Sequence, residues 1–226
     1  MILVNAKLGI QISFQEGIPT ILAIENPMIL ARFIWTVMEQ IRGEEGNFIL
    51  SEDKELNFEK SCSLILDPFS IELNSKKILS ALYKKLSEGS ENQLEGKNKL
   101  LQDYFSLIDQ CIVSSGIENL TYNEDITWSE IFKGLGVRFD DHCESLLDKV
   151  ISYLKIVSDL SDIRLLTFLN FTGFFSAKEL EEIIKMAAYL KINILFLEKE
   201  EPTFFFKQES RYIIDKDQCI IANHSF

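Results

Sequence analysis

The sequence predicts an α/β fold in which a mainly parallel sheet forms a head and a helical arm is inserted into that head. Strand patterns near both ends of the chain flank a helical middle. The strand at residues 21–25 also runs through Asn26 and Pro27 into a helix at residues 28–41. Such a turn is the scaffold of a nucleotide binder, but this one lacks the glycines and the Lys-Ser/Thr pair that hold phosphate.

The first third of the chain predicts short strands at residues 2–4 and 9–14, followed by the strand at 21–25 and its helix. Pro27 removes one backbone N–H donor from the strand-to-helix turn. Residues 63–67 form an apolar strand that ends at Asp67, which resembles the Walker B position of nucleotide hydrolases. Because the turn offers phosphate neither a glycine nest nor a lysine, we predict no nucleotide binding and no hydrolysis.

Residues 74–160 change to the period of helices. Apolar residues recur every three or four positions in three stripes: Ile78, Leu82 and Leu86; Leu101, Tyr104, Ile108 and Cys111; and Cys143, Leu147, Val150, Leu154 and Val157. The third stripe is a heptad seam, expected to pack on itself or on a partner. Residues 87–98 are rich in Glu, Asn, Gly and Ser and predict an exposed loop between the first two helices.

A short helix is predicted between the second and third stripes. Thr127 and Glu130 have the spacing of a capping box, and Gly134 and Gly136 are expected to stop the helix. Asp140 or Asp141 is expected to cap the helix that follows.

The last third of the chain returns to an α/β pattern. Strands at residues 165–170 and 192–197 flank a helix that opens with a second capping box, Ser176 and Glu179, and this order predicts a parallel βαβ unit. Residues 212–214 and 219–221 predict a terminal hairpin. We therefore expect the strands at both ends to share one sheet, with residues 1–70 and 161–226 forming the head and residues 71–160 the arm.

Charge and composition narrow the class of protein. The net charge of −12 argues against a nucleic-acid partner unless positive charge is localised, and residues 69–100 carry six lysines against four glutamates. The four cysteines and two histidines have no metal or disulfide spacing. No apolar stretch reaches the ~18 residues of a membrane span. We expect a soluble, unexported, cytoplasmic protein with reduced thiols and no membrane partner.

Four segments resemble the Csn-type protein of subtype II-A CRISPR systems: LTYNEDI at residues 120–126, IFKGLGV at 131–137, LTFLN at 166–170 and ILFLE at 194–198. The resemblance is clearest over residues 120–198, and the turn without a phosphate loop is consistent with it.

This resemblance implies a spacer-acquisition protein of antiviral defence, with an ATPase-like head that lacks nucleotide chemistry and a helical leg. Members of the family form homotetrameric rings, bind calcium and hold double-stranded DNA ends in a lysine-lined opening without reading sequence. Their partners include other adaptation proteins, among them the integrase and the effector nuclease. A ring reconciles an acidic exterior with a basic inner wall, because only the wall must contact phosphates.

The candidate DNA contacts are lysines of the first predicted arm helix, where Lys77 and Lys84 lie seven residues apart and Lys76 and Lys85 flank them. The alternative is a solvated helix face. No aromatic residue that could stack on bases interleaves with these lysines, so we expect contacts to the DNA backbone only.

The candidate calcium ligands are oxygen-bearing residues in one irregular stretch and after the following glycines: Glu118, Asn123, Glu124, Asp125, Glu130, Asp140 and Asp141. The alternative is a solvated acidic loop, because the stretch has no EF-hand spacing. Only the resemblance favours calcium.

No catalytic motif is present, and His142 and Cys143 would point about 100° apart if they lay on a helix. We expect no enzyme. Two other functions stay open: a degenerate nucleotide-dependent ATPase or phosphotransferase that uses Asp67, and a purely structural oligomer joined through the heptad seam.

Overall fold

The computed structural model describes residues 1–204 and 206–225, with only the backbone of Glu91 and of residues 222–225. The helices are α1 Pro27–Ile41, α2 Phe58–Ser61, α3 Lys76–Gly89, α4 Leu94–Ser115, α5 Trp128–Gly134, α6 Leu146–Leu160 and α7 Ala177–Tyr189. The strands are β1 Ile2–Asn5, β2 Ile10–Ser13, β3 Thr20–Ile24, β4 Ile49–Ser51, β5 Glu55–Leu56, β6 Cys62–Ile65, β7 Leu165–Leu169, β8 Asn193–Glu198, β9 Glu209–Ile214 and β10 Ile220–Ser225. The chain is a mixed α/β protein.

A six-stranded sheet has the order β10-β9-β3-β8-β7-β6. The pairs from β9 to β6 are all parallel, and β10 pairs with β9 in antiparallel fashion. The predicted βαβ unit is confirmed, because β7 and β8 lie side by side and α7 connects them. The predicted terminal hairpin is also confirmed, and β3 from the N-terminal third lies between β8 and β9.

Strands β1 and β2 do not join this sheet. They form an antiparallel sheet of their own with β4 and β5, in the order β2-β1-β4-β5. The prediction that all terminal strands share one sheet is therefore wrong for β1 and β2. Their residues alternate between buried and exposed or partly exposed positions, which is typical of a sheet with one face on the core.

Both faces of the six-stranded sheet are covered. Leu22 and Ile24 of β3 and Leu197 of β8 pack in one cluster with Phe33 of α1 and Ile12 of the small sheet. Alternate strand residues point to the opposite face, where α7 packs against β8 and α6. Strands buried on both faces are continuous apolar runs, and this is why β3 and β8 were recognisable in the sequence.

An ion cluster with a buried centre ties the segment between β8 and β9 to the sheet. Arg211 is 2% exposed, and its Nε donates to Glu209 Oε1 at 2.7 Å. Its terminal nitrogens donate to Glu201 Oε1 at 2.9 Å and to the Phe204 carbonyl at 2.7 Å. A buried guanidinium is tolerated only when its donors find acceptors, and these bonds hold Glu201 and Phe204 beside β9.

The described residues divide into two compact units. The first contains Met1–Leu73 and the described part of Asp141–Phe226, and the second contains Asn74–Asp140. The sequence pattern placed residues 141–160 in the arm, whereas the structure places them in the first unit. The reason is the apolar face of α6, because Val150, Leu154 and Val157 are buried in the core of that unit.

The heptad seam is therefore an internal packing surface. Leu154 is 0% exposed, and Cys143 precedes α6 instead of lying on it. The prediction that this seam packs on a partner is wrong for its buried positions. Ser145 caps α6 by accepting from the Asp148 backbone N–H, so neither Asp140 nor Asp141 is the cap.

The second unit consists of α3, α4, α5 and irregular segments. Its residues 87–98 do not form the predicted loop, because α3 runs to Gly89, a 3₁₀ turn covers Glu91–Gln93, and α4 begins at Leu94. Glu, Gln and Lys are good helix formers, and they carry α4 through Gly96. Both predicted capping boxes are confirmed, at Thr127 and Glu130 and at Ser176 and Glu179.

Candidate functional site: a lysine face and a capped strand-to-helix turn

The turn between β3 and α1 has no free backbone N–H groups arranged to bind phosphate. Asn26 is the N-cap of α1, and its Oδ1 accepts from the backbone N–H groups of Met28 at 3.0 Å and Ile29 at 3.3 Å. Pro27 occupies the first helical position and has no N–H. The donors that a phosphate loop would offer are thus taken by a side chain or missing.

Asp67, the residue in the Walker B-like position, is engaged in a local turn. Its Oδ1 accepts from the Phe69 backbone N–H at 2.9 Å and caps the 3₁₀ turn Pro68–Ser70. Two strands, β8 and β7, lie between β3 and β6. At a strand spacing of about 4.8 Å, β6, the strand before Asp67, lies about 14 Å from β3.

Glu198 is an acid at the end of β8, next to β3, and it is not among the site residues predicted from the sequence. It is buried, and its Oε1 accepts from the Thr172 backbone N–H at 3.1 Å. Burial raises the pKa of its carboxyl, while hydrogen bonds from Thr172 and Phe171 act against the rise. The run of four apolar residues before it was the available signal.

The four candidate lysines lie together on α3. Lys76, Lys77, Lys84 and Lys85 are all exposed. At 100° per residue, Lys77 and Lys84 point only about 20° apart, and Lys76 and Lys85 lie on either side within one half of the helix circumference. The apolar residues Ile78, Leu82 and Leu86 occupy the other half, so α3 has a basic face and an apolar face.

One acid interrupts this lysine face, which we define as the surface of α3 that carries the four lysines. Glu88 Oε1 lies 4.0 Å from Lys84 Nζ, and both side chains are well exposed. An exposed pair at this spacing contributes little to stability, so a phosphate can replace the carboxylate as the partner of Lys84.

The candidate calcium ligands are not gathered into one site. Glu118, Glu124 and Asp125 are exposed, and Asn123 Oδ1 accepts from the Asp125 backbone N–H at 3.1 Å. Glu130 Oε2 is held by the Thr127 backbone N–H and hydroxyl at 2.7 Å each, and these bonds lower the pKa of Glu130. Asp140 and Asp141 are exposed and fall in different units.

Among the side chains that the structure describes, no three of His, Cys, Asp or Glu are close enough to hold a metal ion together. The candidate segment is instead fixed on α4 by a tyrosine. The Tyr122 hydroxyl donates to Asp109 Oδ1 at 2.8 Å, and its ring stacks on Phe105 with centroids 5.4 Å apart. The bond to Asp109 raises the pKa of Tyr122. In this arrangement the residues do not fit a calcium ion.

His142 and Cys143 lie in an irregular segment before α6, so the helical spacing assumed for them does not apply. Burial raises the pKa of the Cys62 thiol to about 12, which leaves that cysteine protonated and unreactive at neutral pH. Of the helices that the structure describes, none is long and apolar enough to span a membrane.

Comparison with known proteins gives the family. A model of the family described as CRISPR-associated protein (Cas_Csn2) matches residues 40–218. The chain is 25% identical over 217 residues to CRISPR-associated protein Csn2 of Streptococcus agalactiae, and the aligned region covers 91% of each chain. It is 23% identical over 156 residues to a protein of the same name from Enterococcus faecalis, covering 68% of this chain and 69% of that one.

These matches confirm the resemblance inferred from the sequence, and they imply a CRISPR-associated role. Because the family model covers well over half of its length, the chain belongs to the Cas_Csn2 family of CRISPR-associated proteins.

Proposed function

We propose that this protein is a non-catalytic ring that holds the ends of double-stranded DNA, without regard to sequence, during CRISPR spacer acquisition in the cytoplasm. The observation that carries the proposal is the lysine face of α3 in a chain of net charge −12. The proposed assembly is a homotetramer whose head is ATPase-like in architecture only. Its proposed partners are the integrase, the effector nuclease and the other adaptation proteins.

The chemistry of the lysine face favours DNA backbone over bases. Lysine ammonium groups bind phosphate oxygens as point charges and release counterions from the duplex. The face carries no aromatic side chain for stacking and no asparagine or glutamine for reading adenine. Binding by this face would be insensitive to sequence and strongly dependent on salt.

The state of the strand-to-helix turn supports a function without nucleotide. Asn26 and Pro27 leave no donors for phosphate, and Asp67 is distant from this turn and engaged in its own cap. An ATPase or phosphotransferase needs both positions at one phosphate chain. Stoichiometric, magnesium-dependent ATP binding in a calorimetric titration would favour the ATPase or phosphotransferase over the proposed non-catalytic function.

The oligomer is supported by the second unit. No residue of 74–140 whose side chain is described is fully buried, and α4 exposes an apolar stripe consisting of Leu100, Tyr104, Leu107 and Cys111. A unit of this size without a buried core depends on further apolar contacts. Another copy of the chain, contributing the same stripe, would supply them.

The lysine face is tested by the salt dependence of binding to a linear duplex. Each neutralised phosphate contributes about 0.9 to the slope of log K against log salt. Replacing Lys77 and Lys84 by Gln should flatten the slope by about 1.8 per subunit that contacts DNA and weaken binding at low salt. Fluorescence anisotropy with a labelled duplex measures both quantities.

Glu88→Gln is the matched variant, because it removes the acid from the same face and should tighten binding. Replacing Lys178 and Lys185 of α7, in the first unit, by Gln removes the same charge elsewhere and should leave the slope unchanged. If both pairs of lysines change the slope equally, the DNA surface is not on α3. A protein that binds no duplex at low salt would be the purely structural oligomer.

The proposed function includes calcium binding. The candidate ligand side chains would have to move together to bind the ion, since they are not close to one another in this structure. Glu118, Glu124 and Asp125 are the exposed carboxylates of the segment. A ligand that binds only the folded chain raises the melting temperature by mass action. Millimolar calcium should raise it in the native protein and not after Glu124→Gln with Asp125→Asn. An equal shift in this variant would place calcium elsewhere.

A further inference from the structure

A groove on the first unit, remote in sequence from the lysine face, has the features of a protein docking site. It is an open surface cavity of about 510 Å³ lined by residues from the end of α1 and the loop that follows: Trp35, Met38, Glu39, Arg42, Glu44 and Glu45. Trp35 is 64% exposed, although tryptophan is highly buried on average. An exposed tryptophan in a groove is typical of a binding hot spot.

The groove is preorganised by a buried side chain. Gln40 Nε2 donates to the Phe48 carbonyl at 2.9 Å, and Gln40 Oε1 accepts from the Phe48 backbone N–H at 2.8 Å. The Glu44 backbone N–H also donates to the Glu39 carbonyl at 3.1 Å. A Cβ on Gly46 would clash with Gln40 Cγ, so the loop passes directly over this clamp. The acids of the loop are held beside α1, which lowers the ordering cost of binding.

The charge of the groove determines what it can bind. Its lining has three glutamates against one arginine. The Glu59 carboxylate also lies close to Gly43, which is in the loop between Arg42 and Glu44. Carboxylates at this density repel the phosphates of DNA. A guanidinium or ammonium group can instead stack on the Trp35 indole while its donors reach the carboxylates. An aliphatic neighbour of that cation would contact Met38.

We infer that the Trp35 groove docks a basic segment of another protein, in which an arginine or lysine is followed by an aliphatic residue. The surface is distinct from the lysine face, because the groove is formed by residues of the first unit and α3 belongs to the second. Charge complementarity selects this occupant, because the groove is acidic where the DNA surface is basic. The inference is independent of DNA binding: a result against it would leave the proposed DNA binding unaffected.

The test uses the full-length protein and a fluorescein-labelled peptide, Gly-Arg-Leu-Arg-Gly, with blocked ends. Binding is followed by anisotropy, and the position of the peptide is followed by Trp35 emission in a Trp128→Phe background. That background is suitable because Trp128 Nε1 is buried without a hydrogen-bond partner, so the substitution breaks no hydrogen bond of this side chain. We expect saturable binding that perturbs Trp35 emission, and no binding of Gly-Glu-Leu-Glu-Gly.

Trp35→Ala, and separately Glu44→Gln with Glu45→Gln, should each weaken peptide binding about fivefold or more. The matched control is Glu181→Gln with Glu182→Gln on α7, which removes two exposed acids of the same unit and should change affinity less than about twofold. Trp35→Ala should leave duplex affinity unchanged.

Three results would overturn the inference. One is equal weakening by the groove and control variants, which would indicate attraction to the net charge of the protein alone. Another is peptide binding that leaves Trp35 emission unchanged. The third is a smaller particle for Trp35→Ala in light scattering, which would make the groove an interface between copies of this chain.

Discussion

Single residues decide what the strand-to-helix turn can do. The absence of a phosphate loop was readable from the sequence, because that motif is defined by residue identity. The cap was not readable in the same way, since asparagine before proline also favours turns that start no helix. The structure shows that Asn26 satisfies the first donors of α1, which gives the prediction of no nucleotide binding a geometric argument.

The role of Glu198 could not be predicted from the sequence. It is the last residue of the segment 194–198, which helped to identify the family. Only the fold places it next to β3 and against the turn Thr172–Phe174. Its carboxylate organises the chain after β7 by accepting from that turn. We assign it a positioning role in the first unit.

The raised pKa of Glu198 predicts a pH effect of definite sign. The folded protein takes up the Glu198 proton at a higher pH than the unfolded chain, so the stabilising contribution is present below the ordinary carboxyl pKa and is lost as pH rises through the folded value. Wild type should therefore lose stability relative to Glu198→Gln as pH rises from acid to neutral. Urea unfolding of both proteins across this range measures the difference, and a difference that grows with pH in favour of wild type contradicts the assignment.

At the scale of elements, the helices with strong local signals were predicted well and the partners of their faces were not. The capping boxes of α5 and α7 depend on residues three positions apart, and both formed as expected. The apolar face of α6 was also recognised, but a period does not tell whether a face meets its own core or another chain. The structure buries it within the first unit.

The exposed stripe of α4 predicts a self-association surface. Replacing Leu100 and Leu107 by Ser should shift the protein to smaller particles, because both side chains lie on the same side of α4 and are about half exposed. Val113→Ser is the control, since Val113 is exposed on another side of the same helix. Sedimentation at micromolar concentration distinguishes the variants. A native protein that is already monomeric there would exclude the ring.

At the scale of the whole molecule, the parallel order of the main sheet could be predicted because βαβ units and continuous apolar strands constrain topology. The separate antiparallel sheet could not, since a strand pattern does not show with which other strands β1 and β2 pair. The division into two units followed the change of period, but its C-terminal boundary was set by the burial of α6. Calcium ligation is a property of side chains brought together in space, and sequence proximity alone did not gather them.

The central claim is that the assembled protein encircles DNA and is loaded through an end. The most direct measurement compares binding to one plasmid in its linear and closed circular forms, in gel shift at equal length and concentration. A ring should bind the linear form well and the closed circle poorly, and a single cut of the circle by a restriction enzyme should restore binding. Duplexes of unrelated sequence should compete equally. Equal affinity for the closed and linear forms would contradict the account.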